Sequence, residues 1–247
     1  MLEERHYRGG LTISRKLTER LLLALQEGEF SGYLRLPSEV ELAAHFGVSR
    51  SVIRDVLSNL EREGFVERER GVGTTIIREI VDLKSRFDIK YEYNSLVRAT
   101  GANPSATIKS LREEKVGEEL ARRLRIAAGD AVIVCEKCVY ANKVPVIYSI
   151  DRLPKELMGG ADYTKLRWER SVFDLLEEEC HIVIDTDIAA LLPVVGPDNI
   201  RQELRLTEGR AMLRVDEIGY QKLGRPVLQT YGYYSDYFEF TLLRKRI

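Results

Sequence analysis

Residues 36–74 read LPSEVELAAHFGVSRSVIRDVLSNLEREGFVERERGVGT, a stretch that spells two short helices, a tight turn between them and a glycine-turned hairpin after them. That arrangement sets one helix into a DNA major groove with a β-wing beside it. Pro37 suits the first turn of a helix, where its missing N–H would be unpaired anyway, and Ser38 and Glu39 suit an N-terminus. Leu42 and Phe46 lie one turn apart and supply an inner face. Gly47 ends the helix because glycine tolerates a left-handed C-cap, and Val48 plugs the turn. Ser49 then caps a second helix. Val52, Ile53, Val56, Leu57 and Leu60 form its apolar stripe, which leaves Arg50, Ser51 and Arg54 on the other side, near the end that reaches base edges. Arginine makes paired hydrogen bonds to a guanine edge, and serine and backbone N–H groups at a helix start hold phosphate. After Gly64, Phe65-Val66 and Ile76-Ile77 flank a turn containing Gly71 and Gly73, from which Arg68 and Arg70 would reach phosphate or the minor groove.

The plainer alternative is a small helical subdomain whose arginines are merely solvated. LPSE, GVSR, a second arginine four residues on and a GxGT wing, all at these spacings, favour DNA. Charge gives the opposite hint. The 247-residue chain carries a net charge of −1, and residues 1–80 alone hold 12 Lys/Arg against 13 Asp/Glu. Binding must then rest on a few placed arginines, not on bulk attraction. The length predicts one or two domains. No apolar run approaches a membrane span, and the polar start Met1–Arg5 has no signal-peptide core, so a cytoplasmic location is expected. Three cysteines do not suggest a disulfide scaffold.

Residues from about Ile13 to Ile77 resemble the winged helix-turn-helix of GntR-type bacterial transcription regulators. The likeness is carried by LPSE, ELA, GVSR, VIRDVL, EGF and GVGT. It implies DNA contacts at Ser49, Arg50, Ser51, Arg54 and Gly71. One position departs: the family often has an arginine between the two glutamates of the first reading helix, where this chain has Val40, so one contact is missing and the operator differs from the commoner ones.

Ile13, Leu17, Leu21, Ala24 and Leu25 form a helix behind the reading pair, with the Leu21–Leu23 run as core. Residues 79–90 read as a linker between a DNA-binding domain at 10–78 and a second domain at 91–247, where Asn94-Ser95-Leu96 starts a short helix ended by Gly101. That second domain contains an internal repeat. Leu124–Tyr148 reads LRIAAGDAVIVCEKCVYANKVPVIY, and Leu204–Gln229 reads LRLTEGRAMLRVDEIGYQKLGRPVLQ. Gly129 matches Gly209, Tyr140 matches Tyr220 and Pro145 matches Pro226. Each copy is helix end, glycine, strand, polar turn, proline, strand. Two such units imply one antiparallel sheet with helices on a face, giving an α+β chain overall. A helix over Ser171–Cys180 and a strand through Ile182, Ile184, Thr186 and Ile188 complete it.

This half resembles the UTRA effector-sensing domain of the HutC-like branch of GntR regulators, whose fold is related to chorismate lyase. The resemblance rests on the repeat, on Ser171-Val172-Phe173-Asp174-Leu175-Leu176 and on Ser235-Asp236-Tyr237-Phe238-Glu239-Phe240. It implies a small-metabolite effector that changes the spacing of paired DNA-binding domains.

Strand alternation puts Ile133, Cys135, Lys137 and Val139 on one face, with Leu213, Val215, Glu217 and Gly219 as their repeat mates. A lysine and a glutamate thus stand at matching places on apolar faces, and a buried charge needs a partner. Two readings stay open: a solvated sheet edge or Lys–Glu pair, and a pocket holding a polar or charged metabolite between Lys137 and Glu217. Ser149, Tyr231, Tyr233 and Asp236 are further candidates for its lining. Sugar-phosphate-sensing relatives carry two arginines where this chain has Lys137 and Val139, which counts against such an effector. Cys135-x-x-Cys138 lies in a strand, so its thiols face opposite sides and do not share a metal. His6, His45 and His181 show no ligand spacing, and His45 reads as a helix-surface residue. No cofactor is expected.

The expectation is a dimeric, ligand-modulated regulator, a repressor, on palindromic double-stranded DNA. The alternatives are a metabolic enzyme built on the lyase-like half and a DNA-binding dimer without a ligand.

Overall fold

The computed structural model describes residues 13–83, 86–90, 92–222 and 224–244. His6, the polar start Met1–Arg5 and the last three residues of the expected second domain lie outside them. The chain divides into two compact units, one running to Arg86 and taking in Leu243, the other Phe87–Leu242.

In the first unit α1 (Ile13–Gln26) buries Leu17, Leu21, Ala24 and Leu25. Successive helical residues point about 100° apart, so the leucine run splits: Leu21 is core, while Leu23 is exposed, as is Ile13. α2 (Glu39–Phe46) starts two residues later than the proline suggests. Ser38 is its N-cap, with its N–H donating to Glu41 Oε2 at 2.8 Å and the Glu41 N–H donating back to Ser38 Oγ at 3.3 Å. This reciprocal box leaves Pro37 outside the helix. Ser38→Ala is expected to cost about 1 kcal/mol, read as a lower denaturation midpoint of the helical signal; an unmoved midpoint would show the box to be idle. Gly47 caps the other end at φ +66°. α3 (Arg50–Arg62) buries Ile53, Val56, Leu57 and Leu60, with Val52 at the edge of the stripe. The wing is β1 (Val66–Glu69) paired with β2 (Gly73–Ile76), and Arg35 adds a bridge to Thr75.

The expected linker does not stand apart. α4 (Arg78–Val81) is tied down by the Arg78 guanidinium, which donates to the carbonyls of Leu25, Phe30 and Tyr33 at 2.6–2.9 Å. Arg86, buried, donates to the Glu63 carbonyl at 2.6 Å and lies over the Phe65 ring. The chain therefore changes units between Arg86 and Phe87.

The second unit comprises α5 (Tyr93–Ala99), β3 (Pro104–Lys115), α6 (Glu118–Leu124), β4 (Ala131–Ala141), β5 (Val144–Pro154), α7 (Val172–Cys180), β6 (Ile184–Val194), α8 (Asp198–Glu203), β7 (Met212–Gln221) and β8 (Arg225–Tyr234). The strands form one antiparallel sheet in the order β3-β4-β5-β8-β7-β6. The sequence repeat is a repeat of structure. β3-α6-β4-β5 and β6-α8-β7-β8 match about the central β5/β8 seam, and both hairpins carry a register shift at the matched pairs Tyr140–Pro145 and Tyr220–Pro226.

Helices cover both faces, not one. Ile133, Cys135 and Val139 of β4 pack under α7 and α5. Val132, Val134 and Cys138, alternating with them, pack under α6 and α8. A period of two in a strand with both sides apolar requires cover on both sides. Within the α5/α7 face two apolar clusters form, one around Trp168 and Leu175, the other around Val97 and Tyr234. Lys137, Ser149, Asp151, Glu217 and Thr230 are also buried in this unit.

Candidate functional site

The first candidate is the exposed start of α3. Ser49 Oγ accepts from the Val52 N–H at 3.4 Å and lies 2.8 Å from Ser51 Oγ, so the two hydroxyls crown the helix N-terminus. Arg50 and Arg54 project beside them, their side chains 59% and 60% exposed. Glu39 of α2 leashes both, at 2.8 Å from Arg54 Nε and 3.8 Å from Arg50. Exposed pairs of this kind are weak, so the guanidinium groups can exchange partners. On the wing the two arginines differ. Arg68 does not reach outward, because its Nε and Nη2 hold Glu61 at 2.9 and 2.7 Å and Nη2 also donates to Ser58 Oγ at 3.0 Å. It fastens the wing to α3. Arg70 is exposed, with no hydrogen bond or ion pair to a described residue, and Gly71 beside it takes φ +83° at the tip.

The second candidate lies in the sheet unit. Lys137 and Glu217 are 2% and 6% exposed, which excludes the solvated-edge reading. They are not each other's partners. Lys137 Nζ lies 3.3 Å from Asp151 Oδ2 and 3.3 Å from the Arg170 carbonyl. Glu217 is bonded by Lys90, which also lies 3.5 Å from Asp187. Thr230 Oγ1 donates to Asp151 Oδ1 at 2.8 Å. Strand registers bring these groups together: Lys137 opposite Ser149, Asp151 opposite Thr230, and Thr230 opposite Glu217. The cavity left between Asp151, Glu217, Thr230 and the covering Lys90, Glu92, Tyr93, Val172 and Phe173 is about 10 Å³. That is about one water's room, so any metabolite must displace side chains to enter.

Burial opposes the Lys90 charge, but Glu217 first, then Tyr234 and Asp187, outweigh it and keep the ammonium protonated beyond the usual lysine range. Burial lifts the Glu217 carboxyl, with Lys90 pulling the other way. Burial also raises Glu92 to about 7, with Asp174 adding to the rise and Ser171 opposing it. An acid with a raised folded pKa binds more protons folded than unfolded, so stability falls as pH rises through that window. The expected result is a stability that declines from about pH 4.5 to pH 7, and a Glu92→Gln variant in which that decline is flattened. Urea midpoints across the range check it; equal slopes for the two proteins would remove Glu92 as the cause.

The two halves are now identifiable. Residues 99–237 match the family described as "UTRA domain", and residues 13–76 match "Bacterial regulatory proteins, gntR family". The chain belongs to the GntR family and carries a UTRA domain. Among relatives of this GntR regulator, GgaR of Escherichia coli strain K12, an HTH-type transcriptional regulator, is 29% identical, covering 86% of this chain and 82% of GgaR. The HTH-type transcriptional repressor NagR of Bacillus subtilis is 24% identical over 85% of this chain and 84% of NagR. Solved structures share the fold: the possible regulator YydK of B. subtilis has a TM-score of 0.71 at 18% identity, over 95% of this chain and all of YydK. PhnF of Mycobacterium smegmatis has 0.60 at 20%, over 95% and 99%. The chain is thus a transcriptional regulator and not an enzyme.

Not every residue expected in the UTRA pocket is there. Glu217 lines the cavity, whereas Ser149 and Lys137 are buried opposite each other on the same sheet face without lining it. Tyr231 and Tyr233 alternate with Thr230 and Gly232 and so face the opposite side of the sheet. Tyr231 lies between the guanidinium groups of Arg152 and Arg214, and Tyr233 packs with Cys138 and Ile200. Asp236 lies beyond the end of β8, exposed and paired with Arg210. Cys135 and Cys138 are buried on opposite faces, as strand geometry requires, and burial pushes the Cys135 thiol up to about 12. His45 is exposed on α2 and bonded to Glu29 at 2.9 Å. Asp151, Lys90, Glu92 and Phe173 were missed. Asp151 stands two residues from Ser149 on the same strand face, so the alternation that singled out Lys137 also reaches it. Nothing local marks Lys90 and Glu92, which precede a short helix in a segment without periodicity.

Proposed function

We propose that this regulator is a cytoplasmic homodimeric repressor that binds a palindromic operator through Ser49, Arg50, Ser51 and Arg54 of each copy. Arg70 and Gly71 of the wing reach the backbone or minor groove, and Arg68 braces the wing. The observation that carries the reading is the pair of exposed arginines on a serine-capped helix start, held among the described residues by Glu39 alone. DNA phosphate and guanine edges offer those guanidinium groups stronger partners than an exposed carboxylate does. Twofold symmetry would set two recognition helices about one helical turn of DNA apart. A small metabolite bound among Lys90, Lys137, Ser149, Asp151 and Glu217 modulates that binding, with a coupling on the order of 1–3 kcal/mol. A buried but charged pocket supports this over a dimer that needs no ligand, for which an apolar core suffices.

Selection of bound duplexes from a random pool, followed by gel shift and sedimentation, tests the reading. The expected outcome is a palindromic consensus bound by two chains. Enrichment of no sequence, or binding by a single chain, would overturn it.

A further inference from the structure

The chemistry of the effector pocket narrows its ligand, an argument that rests on the reading of the pocket just given. The Lys90 ammonium is bonded to Glu217, lies 3.5 Å from Asp187 Oδ2 and sits 5.6 Å from the centre of the Phe173 ring. Two carboxylates and an aromatic face are what an ammonium needs when it leaves water. Here the chain supplies the ammonium itself. Lys90 is also the group most able to leave: its side chain is 28% exposed, against 3% for Lys137, 1% for Asp151 and 8% for Glu217. Deeper in the unit, the fully buried Ser149 Oγ has no hydrogen-bond partner among the described residues. Asp151 Oδ2 likewise accepts no hydrogen bond among the described residues, although the Lys137 ammonium is ion-paired with it at 3.3 Å. Buried polar atoms left without partners mark places where another molecule's polar groups fit. An anion fits badly, because Asp151, Asp187 and Glu217 outnumber Lys90 and Lys137, and like charges at contact distance repel strongly away from bulk water.

We infer that the pocket takes a hydroxylated ligand bearing an ammonium group, which displaces Lys90 from Glu217 and Asp187 above Phe173 while its hydroxyls meet Ser149 and Asp151. Lys90 lies in the segment by which the chain enters the sheet unit, and Glu217 and Asp187 belong to β7 and β6. Displacement therefore removes one of the fastenings of that entering segment, leaving the packing of Phe87 against Tyr234.

Truncating Lys90 vacates the seat. In the full-length Lys90→Ala protein, n-butylammonium chloride is expected to bind at least tenfold more tightly than in the unaltered protein, where a tethered ammonium competes at roughly millimolar effective concentration. Calorimetric titration and a rise in thermal midpoint read the effect. n-Butanol, of equal length without charge, and potassium chloride should produce neither. Adding Glu217→Gln to the truncation should abolish the response. Lys90→Ser provides a second truncation should the alanine variant not fold. Absence of an ammonium response in both truncations, or an equal response to butanol, overturns the inference. Glucose 6-phosphate is the counter-probe. If it binds the unaltered protein and Lys90→Ala weakens it, the cationic class falls while the pocket stands as an effector site. Gel shift of the unaltered protein on its selected duplex tests the regulator reading separately.

Discussion

Replacing Arg50 or Arg54 with alanine is expected to reduce specific operator affinity by about 1–3 kcal/mol for each arginine that reads a base, roughly 5- to 150-fold, with no loss of fold. Both side chains are about three-fifths exposed and contribute nothing to the α3 core, which is built from Ile53, Val56, Leu57 and Leu60. Their partner among the described residues, Glu39, is itself a surface residue of α2, and exposed ion pairs contribute little to stability. Gel shift with the selected duplex and with a scrambled one separates two roles. An arginine that reads a base loses discrimination between the duplexes. An arginine that holds phosphate weakens both and lowers the salt dependence by about one counterion. Glu39→Ala should leave binding intact or tighten it, since it frees both guanidinium groups. Unchanged affinity in both arginine variants would refute the assignment of this helix start as the reading surface.

Lys137→Ala is expected to destabilise the sheet unit by about 3–5 kcal/mol, because it leaves the Asp151 carboxylate buried without its cation. Asp151 is fully buried, and with Lys137 gone its remaining hydrogen bond comes from Thr230. The pair replaced together, Lys137→Met with Asp151→Leu, should recover most of that loss, since an apolar pair of similar volume needs no desolvation of charge. Fluorescence of Trp168, the single tryptophan, buried in the cluster beside this site, follows the unfolding. A double variant as unstable as the single one would show that the charges themselves are required. The same reasoning makes Lys137→Ala a poor reporter of effector binding, because loss of ligand and loss of packing would coincide.

The DNA-reading unit was legible almost residue by residue because its signals are local. A cap, a glycine, a stripe at helical period and a glycine-turned hairpin each act within a few residues of where they are written. The misplacements there were also local in kind: Pro37 falls outside the helix that Ser38 and Glu41 cap, and Leu23 faces outward within a leucine run. Arg68 needed the tertiary structure, since its partners Glu61 and Ser58 lie on α3.

The sheet unit was legible as architecture and much less as a site. Repetition of glycine, tyrosine and proline foretold two hairpins, and alternation foretold that Lys137 and Glu217 point inward. Alternation assigns a face only to residues counted along one strand. Tyr231 and Tyr233 were grouped with Lys137 without that count, and they stand on the other side.

Sequence by itself determined a winged helix-turn-helix joined to a duplicated antiparallel sheet, and with it the regulator class, because caps, turns and hydrophobic periods are short-range instructions. Only the tertiary structure decided which buried charge neutralises which. Lys137 meets Asp151 across neighbouring strands, and Lys90 meets Glu217 from 127 positions away. Charge pairing depends on distance in space, which a linear pattern does not encode.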